Sequence, residues 1–142
     1  MGTKKILVAY DGSQPAQKAL SIMSELAKID ADIQIVLVHV MRLFSSGAAA
    51  AGIDTVVMDE AAPIKAELDQ IAQSLPNKTE VKILKGSSPA DLILNCAQDE
   101  GVDMIIMGSR GKGGVKGYLG SVSYAVVKDS PVTVMIAKDA GE

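Results

Sequence analysis

The chain has 142 residues, of which 48% are hydrophobic, and this combination predicts a single folded domain and excludes a disordered chain. It contains one Phe, three Tyr and no Trp, so the core has to be aliphatic. The net charge is −3 and the basic residues are scattered, which argues against a nucleic acid or an anionic membrane as the partner. A single cysteine, Cys96, excludes an internal disulfide and a zinc site made of several cysteines.

The first apolar run, Ile6 to Tyr10, ends too early at Asp11-Gly12 to be a signal peptide. No apolar stretch approaches the roughly 20 residues that are needed to span a bilayer. We therefore expect a soluble protein of the cytoplasm.

Five short apolar runs predict β-strands. Three of them are almost continuously aliphatic, as is typical of strands covered on both faces, whereas Glu80-Val81-Lys82-Ile83 alternates like a strand nearer to a sheet edge. The runs are Ile6 to Tyr10, Ile33 to Val40, Val81 to Leu84, Met104 to Met107, and Val132 to Ala137.

Segments with apolar residues at three- and four-residue spacing lie between these runs and predict four helices. Ser13 and Ser88 are placed to cap the first and third helices, and a proline follows each of them in the first turn. The interval from Arg42 to Asp54 is rich in small residues and predicts either a surface loop or an irregular start of the second helix. The helices run from Ala16 to Ala27, from Val57 to Leu75, from Pro89 past Cys96, and from about Ser121 to Asp129.

The alternation of strands and helices predicts an α/β fold, a Rossmann-like three-layer sandwich with a five-stranded parallel sheet between helices. In such sheets ligands bind beyond the carboxyl ends of the strands, where the strand order reverses. Two segments qualify, namely Asp11-Gly12-Ser13 after the first strand and the glycine-rich segment Gly108 to Ser121 after the fourth. Glycines let backbone N–H groups approach an anion closely, and the following helix N-terminus adds partial positive charge, so the second segment predicts phosphate binding.

These residues resemble the universal stress protein family over essentially the whole chain. The resemblance implies an α/β sandwich of the adenine-nucleotide-binding type, often dimeric, in which members bind ATP between the first and fourth strands. The ATP-binding pattern of the family is Gly, two residues, Gly, nine residues, then Gly and Ser or Thr; here only eight residues separate Gly111 from Gly120. The segments that carry the resemblance are Lys4 to Ser13, Val38-His39-Val40, Gly108-Ser109-Arg110-Gly111 and Gly120-Ser121-Val122-Ser123.

Position by position, the resemblance implies that Asp11 lies near the ribose, that Val40 contacts adenine and that Met107 flanks the base. The glycines and the start of the last helix would contact the ribose and the phosphates. The implied cofactor is ATP, AMP or another adenine nucleotide, with Mg²⁺ as a companion cation. The complete set of expected cofactor-binding residues is Ala9, Tyr10, Asp11, Val40, Met107, Gly108, Arg110, Gly111, Gly120, Ser121, Val122 and Ser123.

Plainer interpretations stay open for several of these residues. Asp11-Gly12-Ser13 also fits a turn with a helix cap, and Ser121 also fits the cap of the last helix. Arg110, together with Lys112 and Lys116, also fits a solvated loop charge. His39 is predicted to be a packed residue and Cys96 a core residue, rather than a metal ligand and a reactive thiolate.

No Ser or Cys with a partnered His and no carboxylate cluster is evident, so we predict no catalytic residues and at most slow ATP hydrolysis. The glycine spacing excludes a Walker-type site and a dinucleotide fingerprint. We therefore expect a nucleotide-binding stress or signalling module whose occupancy modulates interactions with other proteins. The alternative is a dimeric scaffold or chaperone-like protein of the same fold that binds no nucleotide.

The final strand, Val132 to Ala137, would lie at a sheet edge in the family's arrangement, and an exposed edge invites pairing with another copy. We therefore predict a homodimer through this strand. The alternative is an edge that the twist of the sheet or the C-terminal tail protects.

Overall fold

The computed structural model describes residues 4–43, 50–111, 114–115 and 117–138, and within 50–60 it describes the backbone alone. Strands and helices alternate along the described residues, as predicted. The elements are β1 (Lys5–Ala9), α1 (Gln14–Ile29), β2 (Gln34–Arg42), α2 (Ala50–Ser74), β3 (Thr79–Gly86), α3 (Pro89–Glu100), β4 (Met104–Gly108), α4 (Ser121–Asp129) and β5 (Thr133–Ala137).

The five strands form one parallel sheet in the order β3-β2-β1-β4-β5. The chain first builds outward from β1 to β3 and then crosses to the other side of β1 with β4, so the strand order reverses between β1 and β4. The predicted α/β fold with a five-stranded parallel sheet is therefore confirmed. The alternating strand β3 lies at one edge, as its pattern indicated, and β5 lies at the other.

Helices cover both faces of the sheet, and each face has its own aliphatic core. Residues of α1 and α2 pack with Val8, Leu37 and Ile106 on one face. Residues of α3 and α4 pack with Leu7, Val36 and other strand residues on the opposite face. Because successive strand residues point to opposite faces, the continuous aliphatic runs supply both cores at once.

The helix termini follow the local sequence signals. Ser13 caps α1, since its Oγ accepts a hydrogen bond from the N–H of Ala16 at 3.3 Å, and Pro15 lies in the first turn. Ser88 is at the cap position of α3, but its Oγ donates to Asp91 Oδ2 instead of accepting from the backbone. The cap of α4 is Gly120, so the interpretation of Ser121 as that cap is wrong by one residue.

Several elements are longer than the apolar runs that predicted them. β2 extends beyond Val40 to Arg42, which pairs with Gly86 of a correspondingly longer β3. The second helix begins at Ala50 rather than at Val57, so the interval from Arg42 to Asp54 contains a strand end and the start of a helix. Residues 44–49 of that interval lie outside the described part of the chain. Residues at the ends of β2 and β3 belong to the strands because they pair with each other, although they are not part of an apolar run in the sequence.

Ionic side chains join β1, β3 and α3. Glu100 at the end of α3 accepts from Lys82 Nζ at 2.9 Å and from Lys5 Nζ at 3.2 Å. These bonds, the one with Lys82 first, lower the pKa of Glu100. In the part of the chain that the structure describes, no helix is both long and apolar enough to cross a membrane.

Candidate functional site

A cleft of about 390 Å³ opens at the carboxyl ends of β1, β2 and β4, where the strand order reverses. The start of α4, the residues after β4 and the first turns of α3 complete its walls. The lining residues are Ala9, Tyr10, Asp11, Ala16, Val38, Val40, Arg42, Pro89, Ile93, Met107, Gly108, Arg110, Gly111, Gly114, Gly120, Ser121, Val122 and Ser123.

All of the residues expected at a cofactor site line this one cleft, although they come from three strands, two connecting segments and a helix. Sequence reasoning missed Ala16, Val38, Arg42, Gly114 and the pair Pro89 and Ile93. The period of two along β2 was a usable signal, since Val38, Val40 and Arg42 point to the same face of the sheet. The contribution of α3 had no such signal, because it depends on how that helix packs.

One half of the cleft is apolar. Val38 and Val40 of β2, Ala9 of β1, Met107 of β4 and Ile93 of α3 form its walls. Val38, Ile93 and Met107 are buried, and Ala9 and Val40 pack against the same core. A flat apolar group of a ligand can therefore be buried here, away from water, without displacing a polar side chain.

The apolar half also has an open strand edge. Even-numbered residues of β2 face β1: the N–H of Gln34 donates to Lys4 O, and Val38 O accepts from the N–H of Tyr10. The register of β1 with β2 ends at Ala9 and Val38, so β1 does not reach Val40. The N–H and C=O groups of Val40 consequently face the cleft as one donor beside one acceptor.

The other half of the cleft is lined by backbone amides. The first residues of α4 follow the cap Gly120, and the first N–H groups of a helix have no acceptor inside it. The helix dipole adds partial positive charge there. The N–H of Gly120 donates to Ser109 O at 2.7 Å, which closes the segment between β4 and α4 onto itself. This arrangement suits an anion.

Asp11 lies half-buried between the two halves. Its Oδ1 accepts from the N–H of Ser13 at 2.9 Å, and Gly12 follows it with a φ of 85°. A Cβ on Gly111 would lie 2.7 Å from Asp11 Oδ2, so the glycine permits this close approach. Asp11-Gly12-Ser13 is thus a turn with a helix cap, and it also brings a carboxylate into the cleft.

Gly108 and Ser123 have visible structural tasks. A Cβ on Gly108 would lie 2.7 Å from Pro15 Cβ and 2.8 Å from Ala16 N, so only glycine lets α1 pack this closely on β4. Ser123 is buried, and its Oγ donates to Gly108 O at 2.8 Å, which fastens α4 to β4. Its hydroxyl hydrogen is therefore already used.

Tyr10 directs its side chain away from the cleft. The ring packs in the core beneath α1 and α2, and its hydroxyl donates to Glu67 Oε1 at 2.7 Å. Burial, and after it the bond to Glu67, raises the pKa of Tyr10. The contribution of Tyr10 to the cleft is that of its main chain.

The structure confirms that His39 is a packed residue and that Cys96 is a core residue. His39 Nδ1 lies 2.9 Å from Tyr10 O, and because a carbonyl only accepts, the ring donates from Nδ1. Cys96 is buried in the core below α3, and burial raises the pKa of its thiol, which disfavours a thiolate. Over the described ranges, no three His, Cys, Asp or Glu side chains are grouped to hold a metal ion.

Of the three cations in the segment between β4 and α4, Arg110 belongs to the described residues. Arg110 is half-buried and lines the cleft. Ser13 Oγ lies 3.5 Å from Arg110 O, which brings the turn after β1 close to the segment after β4. Lys112 and Lys116 lie outside the described residues.

Comparison with known proteins places the whole fold in one family. The model of the Universal stress protein family matches residues 2–138. Universal stress protein A homolog 2 of Coxiella burnetii is 34% identical over 144 residues, which cover 97% of both chains. The solved structure of the protein MJ0577, a universal stress protein of Methanocaldococcus jannaschii, matches with a TM-score of 0.82 and 32% identity over 99% of each chain.

A further solved structure is that of a universal stress protein family protein from Arabidopsis thaliana with AMP bound. It matches with a TM-score of 0.72 over 97% of this chain and 93% of its own, at 20% identity, and so shares the fold. The match of the family model over nearly the whole chain and the two relatives above 30% identity lead to one conclusion: this chain belongs to the universal stress protein family.

Proposed function

We propose that the cleft binds an adenine nucleotide, with ATP as the expected ligand, and that the protein acts as a nucleotide-binding module of the stress response. One observation carries the proposal: an apolar slot with an open strand edge and an amide-lined helix N-terminus meet in one cleft at the strand-order reversal. A nucleotide has matching parts, a flat base at one end and an anion at the other.

The base fits the apolar half. The Watson–Crick edge of adenine offers an acceptor at N1 beside a donor at the 6-amino group, and the N–H and C=O groups of Val40 offer the complement. Met107 and Ile93 supply apolar surface for the ring faces. The AMP that the Arabidopsis protein of the same fold binds supports an adenine ligand.

The ribose fits beside Asp11. A carboxylate accepts from ribose hydroxyls and repels phosphate, so it favours one direction of the nucleotide along the cleft. The phosphates then extend towards the N–H groups at the start of α4 and the Ser121 hydroxyl. The bond from Gly120 N to Ser109 O closes this segment with one residue fewer than the family pattern, which supports a working phosphate site. Mg²⁺ would accompany the phosphate oxygens, which are the hard ligands it prefers.

Occupancy of the amide-lined half would change the surface of the segment between β4 and α4. Tyr118 and Leu119 are exposed in that segment, with 72% and 44% of their surface accessible, and Tyr124 in the first turn of α4 is 59% exposed. Exposed apolar side chains beside a ligand site give other proteins a surface that depends on the ligand. We infer that the protein acts in the cytoplasm and uses nucleotide occupancy to modulate such interactions.

A homodimer through β5 is part of the proposal. β5 pairs with β4 on one side, and no described strand pairs with its other side. Val134, Met135 and Ile136 are only half-buried in the single chain. This edge also favours the second candidate function, a dimeric scaffold or chaperone-like protein that binds no nucleotide.

Titration calorimetry with ATP, ADP and AMP, with and without Mg²⁺, separates the two functions. We expect saturable binding of ATP to the wild type and its loss in Gly111→Val, whose side chain would occupy the space beside Asp11 Oδ2. Ile29→Ala, at an exposed site at the end of α1, is the control and should bind as the wild type does. Absence of saturable binding at millimolar nucleotide would overturn the proposal and favour the scaffold.

A further inference from the structure

The hydrogen-bond ladder between β1 and β2 stops just before Val40. Its last bond runs from the N–H of Tyr10 to Val38 O at 2.8 Å. The next bond of a parallel ladder would run from the N–H of Val40 to Tyr10 O. Among the described residues this bond is absent, and the register of the two strands already ends at Ala9 and Val38. Tyr10 O therefore has a different partner.

That partner is a side chain. His39 Nδ1 donates to Tyr10 O at 2.9 Å. Tyr10 is only 3% exposed, so its carbonyl group needs a donor from within the protein, and the imidazole supplies one. The bond that the ladder would have made is thus replaced, and the described residues offer the N–H of Val40 no acceptor.

His39 makes this bond from the face of the sheet opposite to the apolar half of the cleft. Its side chain alternates along β2 with that of Val40 and lies on the same face as Leu37, which packs in the core beneath α1 and α2. His39 is not among the residues that line the cleft. Any effect of its ring on a ligand has to act through Tyr10 and Val40.

The N–H of Val40 is the donor that the proposed adenine site directs at N1 of the base. A main-chain N–H carries a single hydrogen, so a ladder bond to Tyr10 O would use the donor that N1 requires. The bond from His39 removes this competition, because it satisfies Tyr10 O without Val40.

Resting on the proposed nucleotide site, we propose that His39 is a positioning residue for the base: by donating to Tyr10 O in place of the next ladder bond, it keeps the N–H of Val40 available to donate to N1 of adenine. The ring itself does not contact the ligand. Recognition of N1 then depends on a donor at position 39.

Two variants of matched shape separate the donor from the bulk of the ring. His39→Asn keeps an N–H donor on the atom that follows Cγ, as Nδ1 does, whereas His39→Leu has nearly the shape of Asn and no donor. His39→Ala is a second variant without a donor. Asn77→Ala is the control, because it removes two hydrogen bonds at the amino ends of the strands, far from Val40. Urea unfolding shows that each variant is folded.

The ligands for titration calorimetry are ATP, adenosine, 1-deazaadenosine, in which a C–H replaces N1, and inorganic triphosphate as a probe of the amide-lined half. We expect the wild type to bind adenosine about fivefold more tightly than 1-deazaadenosine, the usual effect of one hydrogen bond. His39→Leu and His39→Ala should weaken ATP and adenosine about fivefold and bind the two nucleosides alike. His39→Asn and Asn77→Ala should behave as the wild type does, and triphosphate affinity should be equal in all proteins.

Amide hydrogen exchange of the ligand-free proteins gives an independent measurement. The N–H of Val40 should exchange more slowly in His39→Leu than in the wild type, because the ladder bond to Tyr10 O forms once the imidazole is gone. Unchanged exchange at Val40 would overturn the inference.

Three binding results would also overturn it and leave the proposed function standing: the wild type binds both nucleosides alike, His39→Leu keeps the wild-type preference for adenosine, or His39→Asn loses as much affinity as His39→Leu. If no adenine nucleotide binds the wild type, the proposed function and this inference both fall.

Discussion

At the amino ends of the strands side chains fasten the loops, whereas at the carboxyl ends the backbone forms much of the surface. At the amino ends, Asp103 Oδ2 accepts from the N–H of Lys5, and Asn77 Nδ2 donates to Asp30 O and Ile33 O. At the carboxyl ends, glycines and the start of α4 line a cleft. The two ends of the sheet therefore have different tasks: the side-chain hydrogen bonds at the amino ends stabilise the fold, and the carboxyl ends remain available to bind a ligand. Changes at the amino ends should therefore alter stability alone, whereas changes in the cleft should alter binding, and also stability where the residue has a packing or hydrogen-bonding task within the protein.

The largest expected effect is on stability and comes from a residue of the cleft. Gly108→Ala should lower the free energy of unfolding by about 2 kcal/mol or more, because the new Cβ would meet the backbone of α1, which cannot rotate away. Urea unfolding measures the change. Unchanged stability would contradict the packing role of Gly108.

Asp11→Ala should weaken ATP about tenfold, since the ribose loses a charged acceptor. Its free energy of unfolding should fall by no more than about 1 kcal/mol, for the lost bond to Ser13 N. Calorimetry and urea unfolding together measure both effects. Asp11→Asn is the control, because its amide oxygen still accepts from Ser13. Equal ATP affinity in all three proteins would remove Asp11 from the site.

Ser123→Ala should cost about 1 kcal/mol of stability, because Gly108 O loses a buried donor. ATP affinity should fall less than in Asp11→Ala, since the hydroxyl of Ser123 is already used within the protein. A loss of affinity without any loss of stability would show instead that Ser123 contacts the ligand.

At the amino ends, Glu100→Gln should lower stability at pH 7 by about 1 kcal/mol or less and leave ATP affinity unchanged. Because the lysines lower the pKa of Glu100, its stabilisation is complete above the ordinary carboxyl pKa of about 4.3 and is lost as the pH falls through the lowered value. Urea unfolding from pH 7 to pH 3 should therefore show the difference between wild type and variant shrinking with acid. A constant difference would contradict the ionic origin.

The fold was predictable because its signals are strong and local. Continuous aliphatic runs alternate with amphipathic segments, and Ser13 and Gly120 stand at or beside the expected helix starts. The ends of β2 and β3 were not predictable, since Arg42 and Gly86 are strand residues through pairing rather than through an apolar pattern.

The sequence was a better guide to which residues line the cleft than to what each of these residues does there. Its residues follow strand ends, and the ends of parallel strands meet at one edge. The roles depend on three-dimensional packing: Gly108 makes room for α1, and Tyr10 turns its ring to the opposite core. Tyr10 does share the alternation of Ile6 and Val8, which pack in that same core, so this orientation had a signal in the sequence.

The central claim, that main-chain groups at the carboxyl ends hold the nucleotide, is tested most directly by amide chemical shifts of the ¹⁵N-labelled protein during titration with ATP. The account predicts the largest, saturable shifts at Val40, Gly111, Ser121 and Val122, with none at Lys5, Asn77 and Asp103. Shifts that spare the first group, or that spread evenly over both ends of the sheet, would contradict it.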